Sequence, residues 1–265
     1  LMQGLFRNPL ADPGLVGVSA GAGLGAVGII VLGTTMLAPL TNFLGIYALQ
    51  IASFVGGLIT TFILYRVATQ AGQTAVATML LAGIALGALA GAVSGVLVYI
   101  ANDAQLRDLT FWGLGSLSGA NWIKLAASGP FILAALAASA FLAKGLNAMT
   151  LGEATASHLG VHVQRFKVVS ILAVSGATGA AVAVSGGIGF VGIVVPHLLR
   201  LVIGPDHRYL LPATALLGAS FLLLADAISR IIVAPSELPI GIVTAAVGGP
   251  FFLWILLRRR ATIAW

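Results

Sequence analysis

Few side chains in this sequence can do chemistry, and they are unevenly placed. Charged residues make up 8% of the 265 positions, yet Glu153, His158, His162, Arg165 and Lys167 all fall within Leu151–Lys167. Between long apolar runs, a polar stretch of that density is either an idle loop or a handle for a partner, and it reads here as the handle. Asp226 stands four residues before Arg230, a spacing that pairs the two on one helical face. It is also the one carboxylate placed where ion coupling would need it, inside an apolar run. His197 follows Pro196 with no second ligand nearby, so it reads as a packing residue and no metal site is expected. His207, in the turn sequence Gly204-Pro205-Asp206-His207-Arg208, reads as solvated. There are no cysteines, which excludes disulfides and thiolate metal sites.

Two literal motif matches fail on context. Gly17-Val18-Ser19-Ala20-Gly21 fits the nucleophile-elbow spacing, but that motif needs a preceding strand and His and acid partners. Gly23-Leu24-Gly25-Ala26-Val27-Gly28 fits a dinucleotide fingerprint, yet lies inside an apolar run rather than at a strand–helix turn. An absence says more. Ile123, Ala143 and Phe166 precede the three lysines, so no Gly-Lys pair exists to build a phosphate-cradling Walker loop. Any energy for work comes from a partner or an ion gradient.

The elements that hold these residues follow from composition. The chain is 59% hydrophobic with a mean hydropathy of +1.09, and so few charges cannot solvate a globule of this size. About 20 apolar residues cross the ~30 Å hydrocarbon core of a bilayer. Charge-free runs predict an all-α polytopic membrane bundle with eight spans, near 14–38, 44–65, 76–100, 123–143, 167–184, 190–204, 210–232 and 240–257. Asn102–Asp108 reads as a polar loop, and Phe111, Trp112 and Trp122 as an interfacial belt. Alternating loops put ten of the thirteen basic residues on one side, leaving Arg107, Lys124 and Arg230 opposite. The positive-inside bias therefore places Leu151–Lys167 in the cytoplasm. Within it, Glu153–Leu159 suits a short helix bracketed by Gly152 and Gly160. Gly83, Gly87, Gly91 and Gly95 recur every fourth residue, giving one bare face for close packing or for lining a pathway. The basic residues sit at helix ends, which argues against nucleic-acid binding.

Several passages resemble the ABC importer permeases for iron-siderophores, haem and cobalamin. They are Arg7-Asn8-Pro9-Leu10-Ala11-Asp12-Pro13-Gly14, Leu80–Gly83, Phe111–Ser116, Leu151-Gly152-Glu153, Gly189–Gly192 with Pro196-His197, and Glu237–Gly241. The resemblance covers essentially the whole chain. Such permeases have ten spans, so the first and most of the second are expected to be missing here. It implies a bacterial inner-membrane protein, a permease rather than an enzyme and without cofactors. Its partners would be a second permease copy, two ATP-binding cassette ATPase subunits, a periplasmic substrate-binding protein and the lipid bilayer. The coupling helix maps onto 151–160, with Glu153, Ala154, Ser157, His158, Leu159 and Gly160 toward the ATPase. The cytoplasmic gate corresponds to Asn8 and Leu10 and to a turn around Val76 and Ala77. The pathway would be lined by Gly83, Gly87, Gly91 and Gly95. Arg230 is the implied docking cation for the binding protein. Gly204–Arg208 and Pro250–Trp254 look most like haem permeases, with cobalamin and ferric siderophores the alternatives. An ion-coupled secondary transporter and an intramembrane hydrolase using Ser19 are the competing readings.

Overall fold

The computed structural model describes residues 1–8, 11–70 and 73–263. These form a helical bundle whose only described strands are a two-residue hairpin, β1 (Thr69–Gln70) and β2 (Gln73–Thr74). The helices are α1 (Met2–Leu5), α2 (Val18–Leu32), α3 (Ala38–Leu44), α4 (Ala48–Ala68), α5 (Val76–Ile100) and α6 (Asp103–Leu114), then α7 (Trp122–Thr150), α8 (Glu153–His158), α9 (Val163–Ser185), α10 (Val191–Ile203), α11 (His207–Ile231) and α12 (Ile240–Ile263). Each of the eight expected spans corresponds to one helix. Five stretches are long and apolar enough to cross a bilayer, namely 38–68 (containing α3 and α4), α5, α7, α9 and α11. The apolar parts of α2, α10 and α12 are shorter.

Two readings of the sequence need correction. The 14–38 span contracts to the 15 residues of α2, because Gly33 caps it and residues 33–37 turn before α3. The polar loop at Asn102–Asp108 is the start of α6. Asn102 accepts from the Gln105 N–H at 2.9 Å while the Gln105 side chain accepts from the Asn102 N–H at 3.0 Å. This reciprocal capping box starts a helix from polar residues that hydropathy alone reads as loop. The Gln105 amide nitrogen also donates to the Val31 carbonyl at 3.0 Å, tying α6 to the end of α2.

Missing side chains make the closest packing. A Cβ on Gly21 or Gly25 would collide with Thr60, Gly56 or Ala52 of α4, and one on Gly56 would strike the Gly21 carbonyl. Small residues at this crossing let two apolar helices touch along their backbones, where lipid supplies no hydrophobic drive for association. Of the glycines in 23–28 only Gly25 makes this contact, while Gly23 and Gly28 have nothing within 4 Å of an added Cβ. Next to it, Met2, Leu5, Phe6, Val18, Leu64, Met79, Leu146 and Ile171 form a buried cluster. It gathers α1, the start of α2, α5 and α9, and the ends of α4 and α7. The basic residues Arg7, Arg66, Lys144 and Arg165 sit in these same end segments.

Candidate functional site: the basic end and the bare face of α5

The polar stretch folds as a turn, a short helix and a turn. Gly152 at φ +106° caps α8 on one side and Gly160 at φ +85° follows it on the other, both backbone regions that side chains disfavour. Ala156 is fully buried, whereas Glu153, Ala154, Ser157, His158, Leu159 and Gly160 are all exposed. Leu151 and Leu159 expose 65% and 62% of their surface, so α8 offers a contact face that is partly apolar. Lys167 fastens it. Its Nζ lies 2.7 Å from Glu153 Oε1, and the lysine is buried within the first turns of α9. Phe166, one residue earlier, fills the space over Gly145 of α7. The α8 carboxylate is thus tethered to the bundle, a role that its spacing in the sequence does not reveal.

A second fastening joins α7 to α11. His207 is 3% exposed, which overturns its reading as solvated: it begins α11 with its ring over Gly4. Asn147 Oδ1 accepts from the His207 backbone N–H at 2.9 Å and bonds Nδ1 at 2.8 Å, while Asn147 Nδ2 donates to Asp206 Oδ1 at 2.7 Å. Asp206 caps α11 through the Arg208 N–H and accepts from the Arg208 guanidinium at 2.6 Å. Those guanidinium bonds, followed by the backbone and Asn147 donors, hold its carboxyl well below the usual carboxylate range. A depressed native pKa contributes stability above the unfolded value, about 3.9 for Asp, that is lost as pH falls through the native value. Thermal melts of the purified protein are expected to weaken below about pH 4, and Asp206→Asn to remove that acid component. Asn147→Ala strips partners from two residues and is expected to cost about 1.5–3 kcal/mol.

Of the residues the resemblance implies for a gate, Leu10 lies outside the described positions. Asn8 is half-buried in the loop after α1, where its N–H bonds the Gln3 carbonyl at 3.1 Å. Val76 and Ala77 open α5 rather than forming a turn, and the paired strands β1 and β2 precede them. Asp12 caps the following 3-10 turn by accepting from the Gly14 N–H at 2.8 Å. Burial pushes its carboxyl up, with that bond opposing. The segment meets α10 at Gly192, whose carbonyl accepts from the Gln3 amide at 3.1 Å. A Cβ at Gly192 would sit 3.0 Å from Asp12 Oδ2.

The four glycines of α5 divide. Gly83 is buried and lies against Gly17. At Gly87, Gly91 and Gly95 a Cβ would meet nothing within 4 Å. This face is open along about two turns. At the opposite end of the bundle, two of the quoted motifs, Phe111–Ser116 and Glu237–Gly241, stack backbone on backbone, together with the Ser185-Gly186 end of α9. A Cβ on Gly186 would collide with the Trp112 carbonyl and one on Gly241 with that of Leu114, while the Ser116 N–H donates to Ser185 at 2.8 Å. Arg230, at the same end, contacts Asp226 at 2.8 Å, as the four-residue spacing implied, and Glu237 at 3.5 Å. His197 packs edge-on against Phe251 at 6.0 Å. Among the described residues no group of three His, Cys, Asp or Glu could hold a metal ion.

The sequence profile of the FecCD transport family matches residues 1–258. The chain belongs to that family. FecCD relatives include the hemin transport system permease HmuU of Yersinia pestis, 48% identical over 98% of this chain and 76% of its own length. The cobalamin import system permease BtuC of Halobacterium salinarum is 43% identical, over 98% and 67%. The vitamin B12 import system permease BtuC of Escherichia coli O9:H4 is 41% identical, over 98% and 77%. A metal-chelate type ABC transporter solved in an inward-facing conformation superposes with a TM-score of 0.86 at 31% identity, covering 97% of this chain and 79% of that one. This FecCD chain is the permease subunit of an ABC importer, a helical membrane bundle whose ATPase is a separate subunit.

Proposed function

We propose that this permease passes haem, or a closely related iron chelate, through a pathway formed between two copies of itself in a bacterial inner membrane. The observation that carries the substrate class is the 48% identity to a hemin permease, against 43% and 41% for two cobalamin permeases. The pathway assignment is supported by the bare face of α5, where Gly87, Gly91 and Gly95 leave room for a bulky planar ligand. Two cytoplasmic ATPase subunits engage α8 through Ala154, Ser157, His158, Leu159 and Gly160, with Glu153 holding that helix to Lys167. Asn8, Leu10, Val76 and Ala77 form the inner gate. A periplasmic binding protein delivers substrate at the opposite end, where Arg230 serves as a docking cation in company with Asp226 and Glu237.

The test is a competition uptake assay on the assembled importer in liposomes. Labelled haem is expected to enter and to resist a tenfold excess of cobalamin or ferric siderophore, about 1.4 kcal/mol of discrimination. Uptake of cobalamin or siderophore that excess haem does not suppress would overturn the substrate assignment.

A further inference from the structure

Arg7 holds a backbone position that a side chain makes costly. It ends α1 in a Schellman turn, in which the Arg7 N–H donates to the Gly4 carbonyl at 3.3 Å and the Asn8 N–H to the Gln3 carbonyl at 3.1 Å. The residue at this point of the motif takes the left-handed conformation, and glycine is its usual occupant. Here it is an arginine at φ +48°. Among the described residues, Phe190 is the one other non-glycine residue with a positive φ. The contact of Cβ with the backbone disfavours that region, and residues held there against the cost gather at functional and switch segments.

The Arg7 side chain reaches the junction of α7 and α8. A Cβ added at Gly152 would stand 4.0 Å from Arg7 Nη1. Leu151 closes α7 and Gly152 caps α8. Gly152 belongs to both helices, for its N–H donates to the Met149 carbonyl at 3.1 Å and its own carbonyl accepts from the Ala156 N–H at 2.9 Å. The carbonyl end of α7 lies at this junction, and its last turn carries no basic residue of its own. A cation is favoured at a helix C-terminus, and Arg7 supplies one from another element. Its backbone is fixed by the turn that also fixes Asn8. One residue thus separates the α7–α8 junction from Asn8.

We propose that Arg7 is a positioning residue for coupling, which carries displacement of the α7–α8 junction into Asn8. This rests on the reading of α8 as the ATPase contact and of Asn8 as a gate residue. When the ATPase moves α8, Gly152 moves with it, and the guanidinium follows the carbonyl end of α7. The turn at Arg7 is closed by two hydrogen bonds and leaves little slack, so the displacement passes to Asn8. A glycine would relax the turn and break this link.

Thermal melts and haem uptake by the assembled importer, measured on the same variants, test it. Arg7→Gly puts the favoured residue in the turn, so Tm is expected to rise by about 2–4 °C. Labelled haem imported per ATP hydrolysed is expected to fall at least about tenfold, while stimulation of the ATPase stays within about twofold because α8 still docks. Arg7→Gln keeps the backbone cost but lacks the cation. It should lose uptake to the same degree with no gain in Tm, and Arg7→Lys should recover part of it. Unchanged uptake per ATP in Arg7→Gly and Arg7→Gln would overturn the proposal. So would a lower Tm in Arg7→Gly, which would make the side chain a structural strut. Glu153→Arg separates the two failures. If it lowers ATPase stimulation while the Arg7 variants import normally, Arg7 alone is rejected; if stimulation stays normal, the α8 contact itself is rejected and Arg7 with it.

Discussion

Gly25→Leu is expected to prevent assembly of the permease, with little folded protein recovered from membranes. At this point of the α2–α4 crossing an added Cβ already collides with the Ala52 carbonyl, and Ser53 Cα lies 3.1 Å from it. Backbone cannot swing aside as a flexible side chain can, so the helices must separate. In lipid, separation forfeits the van der Waals contact that holds them. Overpacking of this kind is expected to cost more than about 3 kcal/mol. Gly28→Ala is the matched control. It lies on the same helix with nothing within 4 Å of its added carbon, so it should change stability by less than about 0.5 kcal/mol. Size-exclusion profiles and thermal melts of the two variants separate the outcomes. Equal recovery of both would mean that the α2–α4 contact does not hold the bundle together.

The second large effect belongs to the tether. Glu153→Arg sets a cation against the buried ammonium of Lys167, which the wild-type carboxylate meets at 2.7 Å. Leaving a buried charge without its counter-ion is costly, and the 45% exposure of the Glu153 side chain lessens the loss through solvent screening. About 1–3 kcal/mol is expected, felt locally as displacement of α8. Stimulation of ATP hydrolysis by the permease is expected to fall at least tenfold, about 1.4 kcal/mol in coupling, while expression stays within about twofold. The exchange pair Glu153→Lys with Lys167→Glu should restore part of that stimulation. Normal stimulation in Glu153→Arg would remove the carboxylate from coupling altogether.

Composition made the helical class plain, and α5 and α10 fall within a residue or so of where their apolar runs place them. Length failed where polarity and helix disagree. α6 begins with Asp103 and carries Arg107 and Asp108, so hydropathy hides it, whereas its Asn102–Gln105 capping box was there to be read. α2 ends early because Gly33 caps it, a local backbone event inside an unbroken apolar run. At the basic end, the flanking glycines marked α8, but the partner of Glu153 did not show. Fourteen residues and a helix break separate it from Lys167, and helical spacing rules reach only one turn. His207 misled for a related reason. Its turn sequence promised solvent, yet the contacts shown around it come from Gly4 and Asn147, both distant in sequence. The four-residue glycine rhythm of α5 gave a face but not its neighbours: Gly83 packs on Gly17, and the other three stand open.

The most direct test of the account is haem uptake into liposomes that hold the permease with its ATPase subunits, binding protein outside and ATP inside. Uptake is expected to require every component, to stop when the ATPase is made hydrolysis-defective, and to persist when proton and sodium gradients are collapsed. Gradient-driven uptake by the permease alone, lost in Asp226→Asn, would contradict it and make this chain an ion-coupled transporter.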